Sequence, residues 1–221
     1  GLMTPVEGLE PPVAEDFDSF IEAIRLSGLV GLGGAGFPTS IKLAAQTKGK
    51  IDTIILNGSE CEPLLHTDYE IIKQHIREVV AGAEMIAGAL GIKRAIFAVK
   101  AHTSHGLGLT GGQVLGELTT VHLLPNMYPM GDEITLIYEA TGRLVPPSSL
   151  PISVGVIVFN TETVYNLYRA ATLGEPVTEK WLTVAGDIPD NRAYVVRVPI
   201  GMRVDELFAA LDVEVPATHR L

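Results

Sequence analysis

Four short clusters of glycine and polar residues could hold a ligand in this chain of 221 residues. Glycines let the backbone approach a bound molecule closely, and successive N–H groups can surround a phosphate or lie along a flat ring. A few carboxylate, amide and hydroxyl groups then fix the orientation of such a ligand. The clusters are residues 31–39 with Lys42, residues 57–63, residues 128–133 and residues 160–163.

The first cluster contains the pattern G-x-G-x-x-G between Gly31 and Gly36, which binds dinucleotides when a strand precedes it and a helix follows. Apolar residues in the preceding segment, 17–28, recur at helical spacing, and Asp16 is placed to cap a helix there. A helix disfavours an ordinary Rossmann dehydrogenase, whereas a strand would favour one. A flexible linker is the other alternative, but the residues that follow, as far as Lys42, favour a cradle for a phosphate or a flat ring.

The second cluster contains two carboxylates, Glu60 and Glu62, that would share one side of an extended chain. Such a pair at a sheet edge can position hydroxyl groups or a nicotinamide, and a solvated acidic loop is the alternative. We interpret Cys61 between them as a packing residue, because a nucleophilic cysteine needs an electropositive environment.

The elements that must position these clusters alternate between strand and helix. This alternation predicts an α/β fold with a mostly parallel sheet and helices on both faces. Ligands of such sheets bind at the carboxyl ends of the strands, and the last three clusters each follow a predicted strand. The predicted strands are residues 52–56, 95–99, 120–124 and 154–159, and the predicted helices are residues 17–28, 41–46, 69–90, 132–141 and 162–173.

The alternation stops near Pro176, which suggests three parts. We expect residues 1–15 to be a linker or a chain edge, residues 16–175 the α/β domain, and residues 176–221 a small, partial β-grasp-like unit. This unit is predicted to contain two strands, 181–185 and 194–199, and a helix at 204–211.

The segment 102–116 contains His102 and His105 and is predicted to be an irregular loop that covers a site or connects two elements. We expect no metal site there, because no definite third ligand accompanies the two histidines.

Composition excludes several classes of protein. A hydrophobic fraction of 47% with 19% charged residues excludes intrinsic disorder. The net charge of −10 argues against a nucleic-acid partner, which needs clustered Lys and Arg. No segment is typical of a membrane span. The single cysteine, Cys61, cannot hold a zinc or iron–sulfur site by itself and favours a cytoplasmic protein.

At the four clusters the sequence resembles the flavin-binding subunit of respiratory complex I and its relatives, RnfC of the Rnf electron-transport complex and the cobalamin reductase PduS. The motifs occur in family order over roughly residues 25–175, and the segment from Trp181 is similar to the start of an SLBB domain. The second and third motifs resemble RnfC and PduS more closely than complex I. The matching residues are Gly33-Gly34-Ala35-Gly36-Phe37-Pro38-Thr39 with Lys42, Asn57-Gly58-Ser59-Glu60-Cys61-Glu62-Pro63, Tyr128-Pro129-Met130-Gly131-Asp132-Glu133 and Asn160-Thr161-Glu162-Thr163.

The resemblance implies that FMN lies across the strand ends, along the backbone of Gly33, Gly34, Ala35 and Gly36. Asn57 would contact its ring system. Three further residues would lie near the ribityl phosphate, namely Lys42, Asn160 and Thr163.

The resemblance also implies that NADH docks over the flavin and transfers hydride to it, after which single electrons leave. Phe37 would stack on the dinucleotide, and Glu60 and Glu133 would orient the nicotinamide or its ribose. No residue of the chain needs to be an acid or base, because hydride chemistry belongs to the cofactor. Three further cofactor-binding residues are expected, namely Glu62, Tyr128 and Gly131.

The chain departs from the complex I pattern at Leu32, where flavin subunits of complex I have an arginine. Iron–sulfur cysteines are also absent, so clusters are expected in a further C-terminal domain or in a partner. The implied partners are an iron–sulfur protein or other subunits of an electron-transfer complex, in the cytoplasm, at the inner face of a membrane or in a bacterial microcompartment. The competing hypothesis is a non-catalytic docking scaffold that has kept the fold and lost the flavin.

Overall fold

A computed structural model describes residues 16–44, 51–188 and 192–214 of the chain. The predicted linker, 1–15, and part of the turn between the last two predicted strands lie outside the described residues. Within them, strands and helices alternate as predicted. In chain order the elements are α1 (Phe17–Leu26), α2 (Thr39–Ala44), β1 (Thr53–Asn57), α3 (Thr67–Leu90), β2 (Ala95–Lys100), α4 (Ala101–Leu107), β3 (Thr119–Leu124), α5 (Glu133–Thr141), β4 (Val156–Asn160), α6 (Thr161–Leu173), β5 (Glu179–Val184), β6 (Tyr194–Pro199) and α7 (Val204–Ala210), with a 3-10 turn at Pro151–Val154 before β4.

The four strands β1 to β4 form one parallel sheet in the order β3-β2-β1-β4. The chain first proceeds outward from β1 through β2 to β3 and then returns to place β4 on the other side of β1. Asn57 at the end of β1 is in register with Asn160 at the end of β4. The topological switch point therefore lies between these two strand ends, which is where open α/β sheets bind ligands.

Both faces of the sheet are covered, as predicted for this α/β fold. Side chains that alternate along the strands divide between two apolar clusters, because successive residues of a strand point to opposite faces. Ile54 of β1 packs with α1, α3 and α6, whereas Ile55 packs with α5. Helices α3 and α6 approach so closely at Gly82 that a Cβ atom there would lie 2.7 Å from the carbonyl oxygen of Val164.

The helix α1 confirms the prediction that a helix precedes the glycine cluster. Asp16 caps it, since its carboxylate accepts a hydrogen bond of 2.8 Å from the N–H of Ser19. The prediction of an irregular loop at 102–116 was wrong over its first part, which forms α4. Ser104 Oγ donates to the carbonyl of Ala101 within this helix, and Gly108 ends it with a φ of 66°.

After Pro176 the chain forms the antiparallel pair β5 and β6, followed by α7. This pair lies against α3 and α6, with Trp181 buried in the core that the two helices share. The N–H of His66, just before α3, donates to Thr183 Oγ1 of β5 over 3.1 Å. The small sheet therefore contacts the same end of α3 as the second sequence cluster.

None of the helices in the described ranges has both the length and the apolar character that crossing a membrane requires. The same ranges contain no group of three or more histidine, cysteine, aspartate or glutamate side chains arranged to hold a metal ion.

Candidate cofactor-binding site

A cavity of about 470 Å³ runs along the edge strand β4, from the 3-10 turn before it to the switch point where β1 and β4 end. The glycine cluster forms one side, and the strand ends with the start of α6 form the other. Residues from all four sequence clusters line it or support it. The lining residues that the sequence predicted are Gly33, Ala35, Phe37, Lys42, Asn57, Glu133, Asn160 and Thr163.

The glycine loop, residues 31–37, is closed by its own backbone. The N–H of Gly31 donates to the carbonyl of Phe37 over 2.8 Å, and the N–H of Gly36 donates to the carbonyl of Gly31 over 2.9 Å. Gly34 has a φ of 107° and Gly36 a φ of 63°, conformations that side chains disfavour. In the described structure, the N–H groups of residues 33–35 have no hydrogen-bond partner, which leaves backbone donors available to a ligand.

The glycine loop is fixed against the start of α6 by two contacts. The N–H of Leu32 donates to Thr163 Oγ1 over 2.9 Å. A Cβ atom on Gly33 would lie 3.0 Å from the Cβ of Asn160, so only glycine fits comfortably at this position. The loop therefore cannot move without disturbing the helix start.

Asn160 ends β4 and caps α6. Its Oδ1 accepts hydrogen bonds from the N–H groups of Glu162 and Thr163, over 3.0 and 3.4 Å. Its Nδ2 donates to both carboxylate oxygens of Asp68, over 3.1 and 3.0 Å. The amide is thus engaged at both ends by the protein itself.

Asp68 lies in the first turn of α3 and is 8% exposed. Burial, together with the negative charges of Glu60 and Glu162, raises the pKa of Asp68 to about 8, while Asn160 and Lys180 act in the opposite direction. The group is therefore mostly neutral at pH 7. Sequence reasoning missed it, because an acidic residue in the first turn of a helix is typical of an exposed position that favours the helix dipole.

Glu162 is also buried, but it has a cationic partner. Its carboxylate contacts Lys180 Nζ and accepts a hydrogen bond of 3.0 Å from the N–H of Trp181. Both partners belong to β5. This contact joins the small sheet to the helix start that lines the cavity.

Lys42 projects from α2 toward the strand ends. Its Nζ donates to the carbonyl of Val158 over 2.5 Å, lies 3.8 Å from Glu133 Oε1, and lies 4.9 Å from the centre of the Phe159 ring. Burial lowers the pKa of Lys42, and Glu133 partly offsets that effect. This side chain places a positive charge at the inner wall of the cavity.

Asn57 and Gly131 hold two strand-end loops together. Asn57 Nδ2 donates to the carbonyl of Gly131 over 2.9 Å, and its Oδ1 accepts from the N–H of Ser59. A Cβ atom on Gly131 would lie 2.2 Å from the carbonyl oxygen of Ser59. Ser59 Oγ is buried and has no hydrogen-bond partner in the described part of the chain.

A second cavity, of about 600 Å³, lies farther along the same sheet edge, toward β2 and β3. Glu60, Glu62 and Tyr128 line this second cavity and not the first. Glu60 accepts hydrogen bonds from Thr67 Oγ1 and from the N–H of Asp68, both over 3.0 Å. It therefore caps α3, whose own N-cap residue provides no side-chain bond.

Lys100, at the end of β2, also lines the second cavity and was not among the predicted residues. Its Nζ donates to the carbonyl of Glu60 over 2.6 Å. The sequence could have indicated this residue as part of a site, because Lys100 stands directly after a predicted strand, where ligands of such sheets bind.

Residues 24–169 match the model of the Nuo51 FMN-binding domain. Among curated proteins, the chain is 40% identical over 209 residues to the cobalamin reductase PduS of Salmonella typhimurium, covering 94% of this chain and 44% of that protein. It is 34% identical over 188 residues to one subunit of the ion-translocating oxidoreductase complex of Rhodobacter capsulatus, covering 84% of this chain and 36% of that protein. The chain thus spans less than half the length of these relatives.

Among solved structures, the fold is similar to that of a chain of an NAD+-reducing NiFe-hydrogenase. The TM-score is 0.72 at 24% sequence identity, over 90% of this chain and 40% of that one. The shared fold agrees with the match to the family model, which extends from α1 into α6 and includes every residue that lines the first cavity. The chain therefore belongs to the Nuo51 FMN-binding domain family.

Proposed function

We propose that this chain binds FMN in the cavity that the glycine loop and β4 line, and that it is the NADH-oxidising flavin module of an RnfC/PduS-like electron-transfer protein. The observation that carries the proposal is the closed glycine loop at the topological switch point, where residues 33–35 have unpaired N–H groups within the described structure. Membership of the FMN-binding family supports the same ligand.

The cavity fits a flavin in size and in chemistry. Its volume of about 470 Å³ is within the range of about 300–1,000 Å³ that is usual for organic ligands. Glycine at residue 33 keeps the backbone clear where a larger residue would meet Asn160. Apolar side chains such as Ile152 and Val158 line the wall, and the polar groups are few and fixed.

The polar groups would hold the phosphate end of the ligand. The start of α6 favours a negative charge, and Lys42 adds a positive one. Because Asn160 and Thr163 already bond within the protein, we expect the backbone N–H groups of the glycine loop to supply most of the phosphate contacts. When bound, FMN supplies the redox chemistry, as an acceptor of hydride from NADH and a donor of single electrons.

The outer side of the cavity is suited to a dinucleotide. Phe37 is 51% exposed at its rim, so its ring is available for stacking on a nicotinamide or an adenine. Glu133, also in the cavity wall, would orient the nicotinamide or its ribose. Glu62 and Tyr128, which line the neighbouring cavity, would contact the cofactors from the other side.

We further propose that electrons leave toward iron–sulfur centres in another domain or another protein of the same complex. One relative is named as part of an ion-translocating oxidoreductase complex, and PduS is named a cobalamin reductase. The small unit at 176–221 would be the beginning of an SLBB domain that adjoins the flavin domain. A place in the cytoplasm, at the inner face of a membrane or in a microcompartment is consistent with such partners.

The experiment is to load the full-length protein with FMN, remove free flavin, and record the absorbance before and after adding NADH without oxygen. We expect a flavin spectrum that bleaches on addition of NADH. A Gly33→Leu variant fills the cavity and is the matched control that should remain colourless. If the full-length protein retained no FMN, the proposal would be wrong and a docking scaffold that has lost the flavin would be favoured.

A further inference from the structure

Asp68 does not line the cavity, yet it is one contact away from it. Its carboxyl oxygens accept both hydrogen bonds from Asn160 Nδ2, while the other end of that amide caps α6. If the amide turned around, its N–H groups would face the N–H groups of α6. An acceptor at residue 68 therefore determines how the Asn160 amide is held, and Asn160 in turn contacts Gly33.

The charged groups that face Asp68 come from three elements. Glu60 reaches it from the loop after β1, Glu162 from α6, and Lys180 from β5. Lys180 is already paired with Glu162, so the ionised form of Asp68 would have no cation of its own among these groups. Burial and the two neighbouring carboxylates keep the carboxyl neutral at pH 7, and loss of its proton would add a negative charge behind the start of α6.

We propose that Asp68 is a positioning residue of the cofactor site, which fixes the Asn160 amide and, through it, the first turn of α6 and the contact with Gly33. The inference rests on the proposed function, since it concerns how the flavin phosphate is received. A second consequence concerns charge: when Asp68 ionises, an anionic flavin binds less tightly.

The test is a titration of the full-length protein with FMN from pH 6 to pH 9, followed by quenching of flavin fluorescence. If FMN binding raises the pKa of Asp68 by one unit from about 8, the wild-type dissociation constant rises about fivefold between pH 7 and pH 9. Asp68→Asn keeps a neutral acceptor for Asn160, so we expect it to bind FMN at every pH as the wild type does at pH 7. Asp68→Ala removes the acceptor and should weaken binding throughout the range.

Riboflavin provides a second measurement that needs no variant. It lacks the phosphate, so its dissociation constant from the wild-type protein should change less with pH than that of FMN. Parallel profiles for FMN and riboflavin, or a wild-type profile shared by Asp68→Asn, would overturn the inference while leaving FMN binding intact. Absence of FMN binding by the wild type at any pH would instead overturn the proposed function and this inference together.

Discussion

The two walls of the cavity differ in how their polar groups are used. The glycine loop is exposed from residue 33 to residue 37, and its N–H groups at residues 33–35 are unpaired in the part of the chain that the structure describes. On the opposite wall, Asn160 lines the cavity, and the buried Asp68 and Glu162 lie behind it. These three side chains are hydrogen-bonded to one another or to the backbone of α6 and β5. The glycine loop therefore offers backbone N–H groups to a ligand, and the hydrogen-bonded opposite wall fixes the position of the loop.

A similar division, between a residue that supports the fold and one that is free to meet a ligand, occurs within the second sequence cluster. Within the second cluster, Glu60 bonds to the start of α3 whereas Glu62 is exposed beside the second cavity. The same division predicts separate experimental signatures. Changes to the buried side chains should alter stability first, and changes to the exposed side chain of Phe37 should alter ligand binding alone.

The largest expected effect is on the pH dependence of stability and comes from Asp68. The folded protein keeps this proton up to about pH 8, whereas the unfolded carboxyl loses it near 3.8, so wild-type stability falls as pH rises through that interval. Relative to Asp68→Asn, the wild-type free energy of unfolding should fall by about 1.4 kcal/mol per pH unit between pH 5 and pH 7. Urea unfolding of the wild type and of Asp68→Asn at each pH measures this difference in the free energy of unfolding.

Asp52 provides the control for this slope, because its contact with Arg143 lowers the pKa of its carboxyl. The stabilisation from that contact is present above the unfolded pKa and is lost only as pH falls below it. The difference between wild type and Asp52→Asn should therefore be constant between pH 5 and pH 7. Equal slopes for the two variants would contradict a neutral Asp68.

The next effect concerns Glu162, whose carboxylate joins α6 to β5. In Glu162→Ala, the buried N–H of Trp181 loses its acceptor and Lys180 loses its partner, so the free energy of unfolding should fall by about 3 kcal/mol. Trp181 is the single tryptophan of the chain, so its fluorescence follows the small sheet directly. Glu179→Ala, which breaks partly exposed contacts of the same strand, should cost less than about 1 kcal/mol.

Gly131 tests the contact between the two strand-end loops that follow β1 and β3. A Cβ atom there would overlap the carbonyl of Ser59, so Gly131→Ala should cost about 2 kcal/mol and weaken FMN binding by separating the loops that Asn57 joins. Gly88 of α3 has open space around its Cβ position, and Gly88→Ala should stabilise the protein by about 0.5–1 kcal/mol. Thermal unfolding and FMN titration of both variants measure the contrast. Equal stabilities would show that the loops separate without cost.

The sequence was sufficient to predict the strand–helix alternation, because strands such as β1 are short, β-branched runs and helices such as α3 carry long amphipathic stripes that end at a glycine. It was insufficient for α4, since Ser and Gly residues have low helix propensity and tertiary contacts decide the outcome. Gly106 shows this, because a Cβ atom there would meet Tyr69 of α3. The sequence also did not predict the order of the strands, because β4 pairs with β1, which is distant from it in the chain.

The candidate site was predicted only in part, and the reason lies in the chemistry of its residues. Asn, Asp, Glu and Thr both cap helices and contact ligands, so their positions in a motif do not separate the two roles. Asn160 illustrates the capping role, since both ends of its amide bond to the protein. Asp68 illustrates the reverse difficulty, because its burial arises from α6 and β5, which are distant in sequence.

The smallest effect on stability, with a clear effect on binding, is expected at Phe37 on the exposed wall. Its ring is half exposed, so Phe37→Ala should leave the melting temperature nearly unchanged. Loss of stacking on a base or a nicotinamide is worth about 1–3 kcal/mol, so the dissociation constant for NADH should rise about 5- to 150-fold. Leu26→Ala, an equally exposed apolar position on α1, should alter neither quantity. A fall in stability equal to the loss of NADH affinity would mean that Phe37 supports the fold and that the two walls are not separate in function.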